Sequence, residues 1–175
     1  MYWKAGEWGV HLPFSPFIKE VLTKFKVAPT QFSSVAWCIL NSFDALFSEH
    51  RGLFGEDAQP TLNLFLEYYD VTFAPKSKSW ISFRRRSPHL FKTINKIDDW
   101  SLHFFYMRQS DKLDDLLGGV PKEWNFSVTI PGREELSEDE AYLNLLLENH
   151  LLGCFHRTYL LLNIFLRVLL LTLIL

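Results

Sequence analysis

Seven cations, Lys76, Lys78, Arg84, Arg85, Arg86, Lys92 and Lys96, follow one another between Asp70 and Asp98 with no acid among them. Trp80, Phe83 and Phe91 are interleaved with them. Cations contact phosphates and flat rings stack on unpaired bases, so the mixture has what a single-strand binder needs. On that reading the seven cations make the nucleic-acid contacts, and Trp80 and Phe83 are the stacking platforms. The bland alternative is a solvated hairpin whose charges keep an edge strand from pairing with other chains.

Carboxylates are the other chemistry-bearing groups. Asp70, Asp98, Asp99, Asp111, Asp114 and Asp115 are available, and a strand-transfer enzyme needs three such groups converging on two metal ions. Those enzymes take their carboxylates from strand ends of an α/β sheet, whereas the N-terminal half here has a helical pattern. Asp111 to Asp115 read as solvated loop acids, and Asp98-Asp99 as a turn. The six histidines are scattered without ligand spacing. There is no Gly-x-Ser-x-Gly elbow, P-loop or dinucleotide fingerprint. No catalytic, metal-binding or cofactor-binding residue is assigned, no cofactor is expected, and an enzyme is not the expectation.

The frame that would position these groups begins with composition. The chain has 175 residues, 16 of them Phe and 6 Trp, which suits one packed domain with an appendage. A net charge of −2 gives no global attraction to polyanions, so any such partner must be met by a local run. Cys38 and Cys154 are far apart; Cys38, after Trp37, reads as a buried thiol, and the usage fits a reducing compartment. Met1 to Lys4 lack a secretory layout, so an intracellular location is expected.

Residues 1–14 read as an irregular lead-in. Ser15 can cap a helix with Pro16 in its first turn, and Phe17, Val21, Leu22 and Phe25 then share one face. Pro29 ends it. Ser33 or Ser34 can cap a second helix carrying Ala36, Ile39, Leu40, Phe43 and Phe47, which fades near His50. A third starts at Pro60-Thr61 with Leu62, Phe65, Leu66 and Tyr69 at helical spacing. Val71 to Phe73 and Trp80 to Phe83 read as a hairpin, and Trp100 to Met107 as a third strand. Ser137-Glu138-Asp139-Glu140 is a capping-box pattern. A helix-turn-helix reading of the opening pair fails on charge. The second helix has no Lys or Arg from Val35 to His50, where a recognition helix needs them.

Several of these stretches recur in one order: Pro16-Phe17, Val27-Ala28-Pro29-Thr30-Gln31-Phe32, Ala36-Trp37, and Pro60-Thr61-Leu62-Asn63-Leu64-Phe65. Trp80 to Phe83 and Trp100 with Phe104-Phe105-Tyr106 follow. The order and spacing resemble those of a plant family known as the gypsy-type transposon domain, also labelled a transposase domain, over roughly residues 12 to 128. The resemblance implies a retroelement-derived protein. Past Pro131 nothing matches.

The tail is different. From Thr158 to Leu175 only Asn163, Arg167 and two threonines interrupt apolar residues. As a helix it would reach roughly 27 Å, close to the hydrocarbon thickness of a bilayer. Three readings stay open: a membrane anchor, a helix packed on the domain, or non-native sequence from a truncated element or misread frame.

The expected architecture is α+β: an N-terminal helical layer, a small antiparallel aromatic sheet, then a C-terminal helix and the apolar tail. The divisions are 1–14, 15–130 for the transposon-like domain, 131–153 for an acidic linker and capped helix, and 154–175 for the tail. The expected function is non-enzymatic, through protein or nucleic-acid contacts by way of the 76–96 run, with self-association as a further option. A membrane-anchored protein exposing the domain to the cytosol and a relic transposase-like enzyme are the alternatives.

Overall fold

The fold was analysed in a computed structural model that describes residues 10–74, 77–86, 90–91 and 111–149. It is α+β. Helix α1 (Pro16–Phe25) opens on Ser15, whose hydroxyl accepts the Ile18 N–H at 3.2 Å. It closes on Lys26, which takes a left-handed conformation at φ 54° so that the Lys26 and Val27 N–H groups reach back to Thr23 and Leu22 carbonyls. A 3₁₀ turn (Pro29–Gln31) then leads to α2 (Ser34–Glu49), and of the two candidate caps Ser33 is the one used, accepting the Ala36 N–H. The one-turn α3 (Arg51–Phe54) follows. Thr61 caps α4 (Leu62–Tyr68) by accepting the Leu64 N–H at 3.2 Å.

Tyr69 departs from the sequence pattern. Its spacing puts it on the third helix, but it is the first residue of β1 (Tyr69–Ala74). The chain passes from α4 into β1 without a loop, and Tyr69 pairs with Arg85 in the antiparallel partner β2 (Ser77–Arg85). Val71 then faces Phe83 and Phe73 faces Ile81. The other edge of β2 meets the hinge: Phe32 bridges Ile81 in parallel, and Ser33 N–H donates to the Ile81 carbonyl at 2.9 Å. The expected third strand at 100–107 and the tail at 154–175 lie outside the described residues. No helix among the described residues is long and apolar enough to cross a membrane.

The core is a continuous file of rings. Phe14 stacks on Trp37, which meets Phe32; Phe32 meets Phe83, and Phe83 meets Phe65. From Phe65 the contacts run through Phe43 and Phe47 to Phe54. Phe65 is the hub, also touching Phe17 and Tyr69. Centroid separations of 4.7–5.9 Å along this file lie within the range of favourable offset and edge-on pairs. The hinge belongs to the same core: Val27, Ala28, Gln31 and Phe32 are all buried.

Residues 111–136 add α5 (Asp111–Leu117) and an extended segment to this unit. From Ser137 a second unit begins, with helix α6 over 138–149. Ser137 N–H donates to the Glu140 carboxylate at 2.9 Å and Glu140 N–H to the Ser137 hydroxyl at 3.3 Å, closing a reciprocal capping box. Leu143 and Leu147, one turn apart, are buried on α6, whereas Tyr142 and Leu145 are exposed.

Candidate nucleic-acid interface

Alternation along β2 sorts the basic run into two faces. Ile81 and Phe83 point into the core; Trp80, Ser82 and Arg84 lie on the opposite face, where Asp70 sits across from Arg84. Asp70 gathers three guanidinium groups. Arg84 Nη2 lies 3.4 Å from one carboxylate oxygen, while Arg86 Nε at 3.6 Å and Arg133 Nη2 at 3.0 Å share the other. Three guanidinium groups thus gather around one carboxylate on that surface. Arg84 is 73% exposed, so these pairs are worth little as stabilisers. Their significance is a local gathering of cations on a chain whose net charge is −2.

Arg85 does not join this group. It shares the Tyr69 face in the ladder and donates to the Phe91 carbonyl at 3.1 Å. Arg86, just beyond β2, is held both by its backbone N–H to the Tyr68 carbonyl and by Nη1 to the Glu67 carbonyl. The triplet Arg84-Arg85-Arg86 is therefore two surface cations and one turned aside. Lys78 lies on β2; Lys76, Lys92 and Lys96 lie outside the described residues.

Phe83 requires a correction. Its expected role was to stack on a base, but it is 5% exposed and packed between Phe25, Phe32 and Phe65. An inward position on a half-buried strand removes it from any ligand. Trp80, on the outer face, keeps its ring half-buried at the surface and meets Trp124 at 6.1 Å. Trp124 in turn meets Phe126 at 6.5 Å, and Phe126 is 76% exposed.

Reading along the sequence misses Trp124, Phe126 and Arg133. All three come from the segment after α5, whose acidic, turn-rich character masks them. Two aromatics one residue apart in such a segment are the only local signal for the rings, and for Arg133 there is none. What fixes the rings is Gln31. This fully buried side chain accepts the Ala28 and Asn125 N–H groups and donates to the Ser79 and Asn125 carbonyls, at 2.8–3.1 Å. Asn125 is thereby locked to the hinge, and its neighbours Trp124 and Phe126 are held beside Trp80.

No family model, curated protein or solved structure matches the chain. The described residues on which the expected likeness to the gypsy-type transposon domain rests are mostly core: Phe17, Val27, Ala28, Phe32, Trp37, Leu64 and Phe65 are buried.

Among the described residues the carboxylates do not converge. Asp70 is taken up by the arginines, and Asp114 pairs with Lys122. Among the described residues no group of three His, Cys, Asp or Glu could hold a metal ion; Asp98 and Asp99 lie outside them. Cys38 is half-buried, and burial pushes its thiol above the ordinary range, away from a reactive thiolate.

Proposed function

We propose that this chain is a non-enzymatic, retroelement-derived interaction domain that binds single-stranded nucleic acid. The outer face of the β1–β2 hairpin is the binding surface. The observation that carries this reading is the cluster of Arg84, Arg86 and Arg133 around Asp70 on the same strand face as the Trp80–Trp124–Phe126 rings. Arg84 and Trp80 are four residues apart on one strand, roughly 13 Å at the usual strand rise. Phosphates would track the guanidinium groups while bases stack on the rings, the arrangement by which sequence-tolerant single-strand binders work. A duplex, with its bases already stacked, gains only the electrostatic part.

Tryptophan emission offers a direct test. Trp80 and Trp124 lie at the surface, so a single-stranded homopolymer that stacks on them should quench fluorescence on titration. Duplex of the same length should quench less. No quenching by either would leave the hairpin as a solvated edge whose charges only discourage aggregation.

A further inference from the structure

A cavity of about 350 Å³ lies in the helical layer, between the lead-in to α1, one side of α2 and the loop at 58–60. Small-molecule sites run from roughly 300 to 1,000 Å³, so it suits a compact ligand. Asn41, Asp44 and Ser48 line it from α2 at spacings of three and four, which place them on one helical face. The Asp44 carboxylate accepts a hydrogen bond from the Ser15 hydroxyl, and His11 nearby favours its charge. Burial outweighs both and holds Asp44 above the ordinary carboxylate range. Ser15 has a second duty, since its oxygen caps α1.

Arg51, at the start of α3, lines the same cavity and is exposed at its edge. It forms no ion pair with Asp44 among the described residues. The two are seven positions apart on nearly continuous helix, roughly 10 Å along the axis. One cavity thus holds a carboxylate and a guanidinium kept apart, with Phe47 and Pro60 supplying apolar wall between polar ends.

We propose that this cavity binds a small zwitterion, with its ammonium group on Asp44 and its carboxylate on Arg51. The ammonium gives the half-buried Asp44 a counter-charge, and the guanidinium takes a carboxylate in its preferred two-pronged geometry. A free α-amino acid is the simplest molecule of that class. This site is independent of the hairpin face.

Isothermal titration of the full chain with glutamine, glutamate and lysine tests it, with propylamine and acetate as controls carrying one charge each. At least one amino acid should bind and both controls should fail. Asp44→Asn and Arg51→Gln should each weaken that binding about tenfold or more, the loss expected for one charge-assisted hydrogen bond. Because Asp44→Asn also disturbs the cap of α1, the exposed Arg51→Gln variant separates binding from folding. The proposal is overturned if no amino acid binds at millimolar concentration, if propylamine binds as well as the amino acids, or if Arg51→Gln leaves affinity unchanged.

Discussion

Gln31 and Asn125, 94 residues apart, hold each other by a two-way pair: Asn125 N–H donates to Gln31 Oε1 at 2.8 Å and Gln31 Nε2 donates to the Asn125 carbonyl at 2.8 Å. The same amide satisfies Ala28 N–H and the Ser79 carbonyl. A single side chain therefore ties the hinge, strand β2 and the segment after α5 into one unit, and sets the ring cluster in place.

Replacing Gln31 by Leu keeps the volume near and strands four backbone groups, two of them buried and two at the half-buried Asn125. Each unsatisfied group costs roughly 1–3 kcal/mol, offset in part where water enters, so a loss of about 3 kcal/mol is expected in urea unfolding. Gln31→Glu should do no better, because an acid oxygen would face two carbonyls. A loss below about 1 kcal/mol would show that the clamp contributes little beyond ordinary hydrogen bonds.

Tyr69 makes stability depend on alkaline pH. Its hydroxyl is buried without a hydrogen-bond partner among the described residues, and burial pushes its ionisation well above the ordinary range despite the Arg85 charge nearby. The unfolded chain gives up that proton near pH 10, while the folded chain retains it. Above that pH the folded state binds more protons, so stability falls as pH rises. Tyr69→Phe should flatten this alkaline slope in denaturant titrations at stepped pH. At neutral pH it should be neutral or stabilising by up to about 1 kcal/mol, since it removes an unsatisfied buried hydroxyl.

Lys26 closes α1 at φ 54°, a conformation that costs a side-chain-bearing residue roughly 1–2 kcal/mol. Its side chain is exposed. Lys26→Gly should raise stability by about 0.5 kcal/mol, part of the gain being offset by the greater freedom of glycine in the unfolded chain. Thermal unfolding would register this as a small rise in Tm. The contrasting change, Gly118→Ala at φ 63°, should destabilise, because a residue with a Cβ is strained there, while the flexible end of Lys19 can move aside.

Helix starts were the most legible part of the sequence, because a cap needs only its own neighbours: Ser15, Thr61 and the Ser137–Glu140 box are local patterns. The hairpin was legible for a similar reason, two β-prone runs around a turn. Tyr69 was not. Its place in the helical stripe fits Phe65, and only ladder pairing with Arg85 draws it into β1. Gln31 reads as an ordinary polar turn residue, because apart from Ala28 its partners lie 48 and 94 positions away. Of the proposed interface, the basic run was visible but its division into faces was not. Strand parity sends Arg85 and Phe83 away from Arg84, and Arg133 arrives from a segment with no local mark.

The most direct measurement is the salt dependence of affinity for a single-stranded homopolymer, for the native chain and for Arg84→Gln/Arg86→Gln/Arg133→Gln. Each phosphate contact adds about 0.7 to the slope of log affinity against log salt for a single strand. Losing three contacts should lower that slope by about 2, with the Gln31 clamp and the fold unchanged. Equal slopes for the two proteins, or binding of the native chain that ignores salt, would contradict the hairpin face as a nucleic-acid interface.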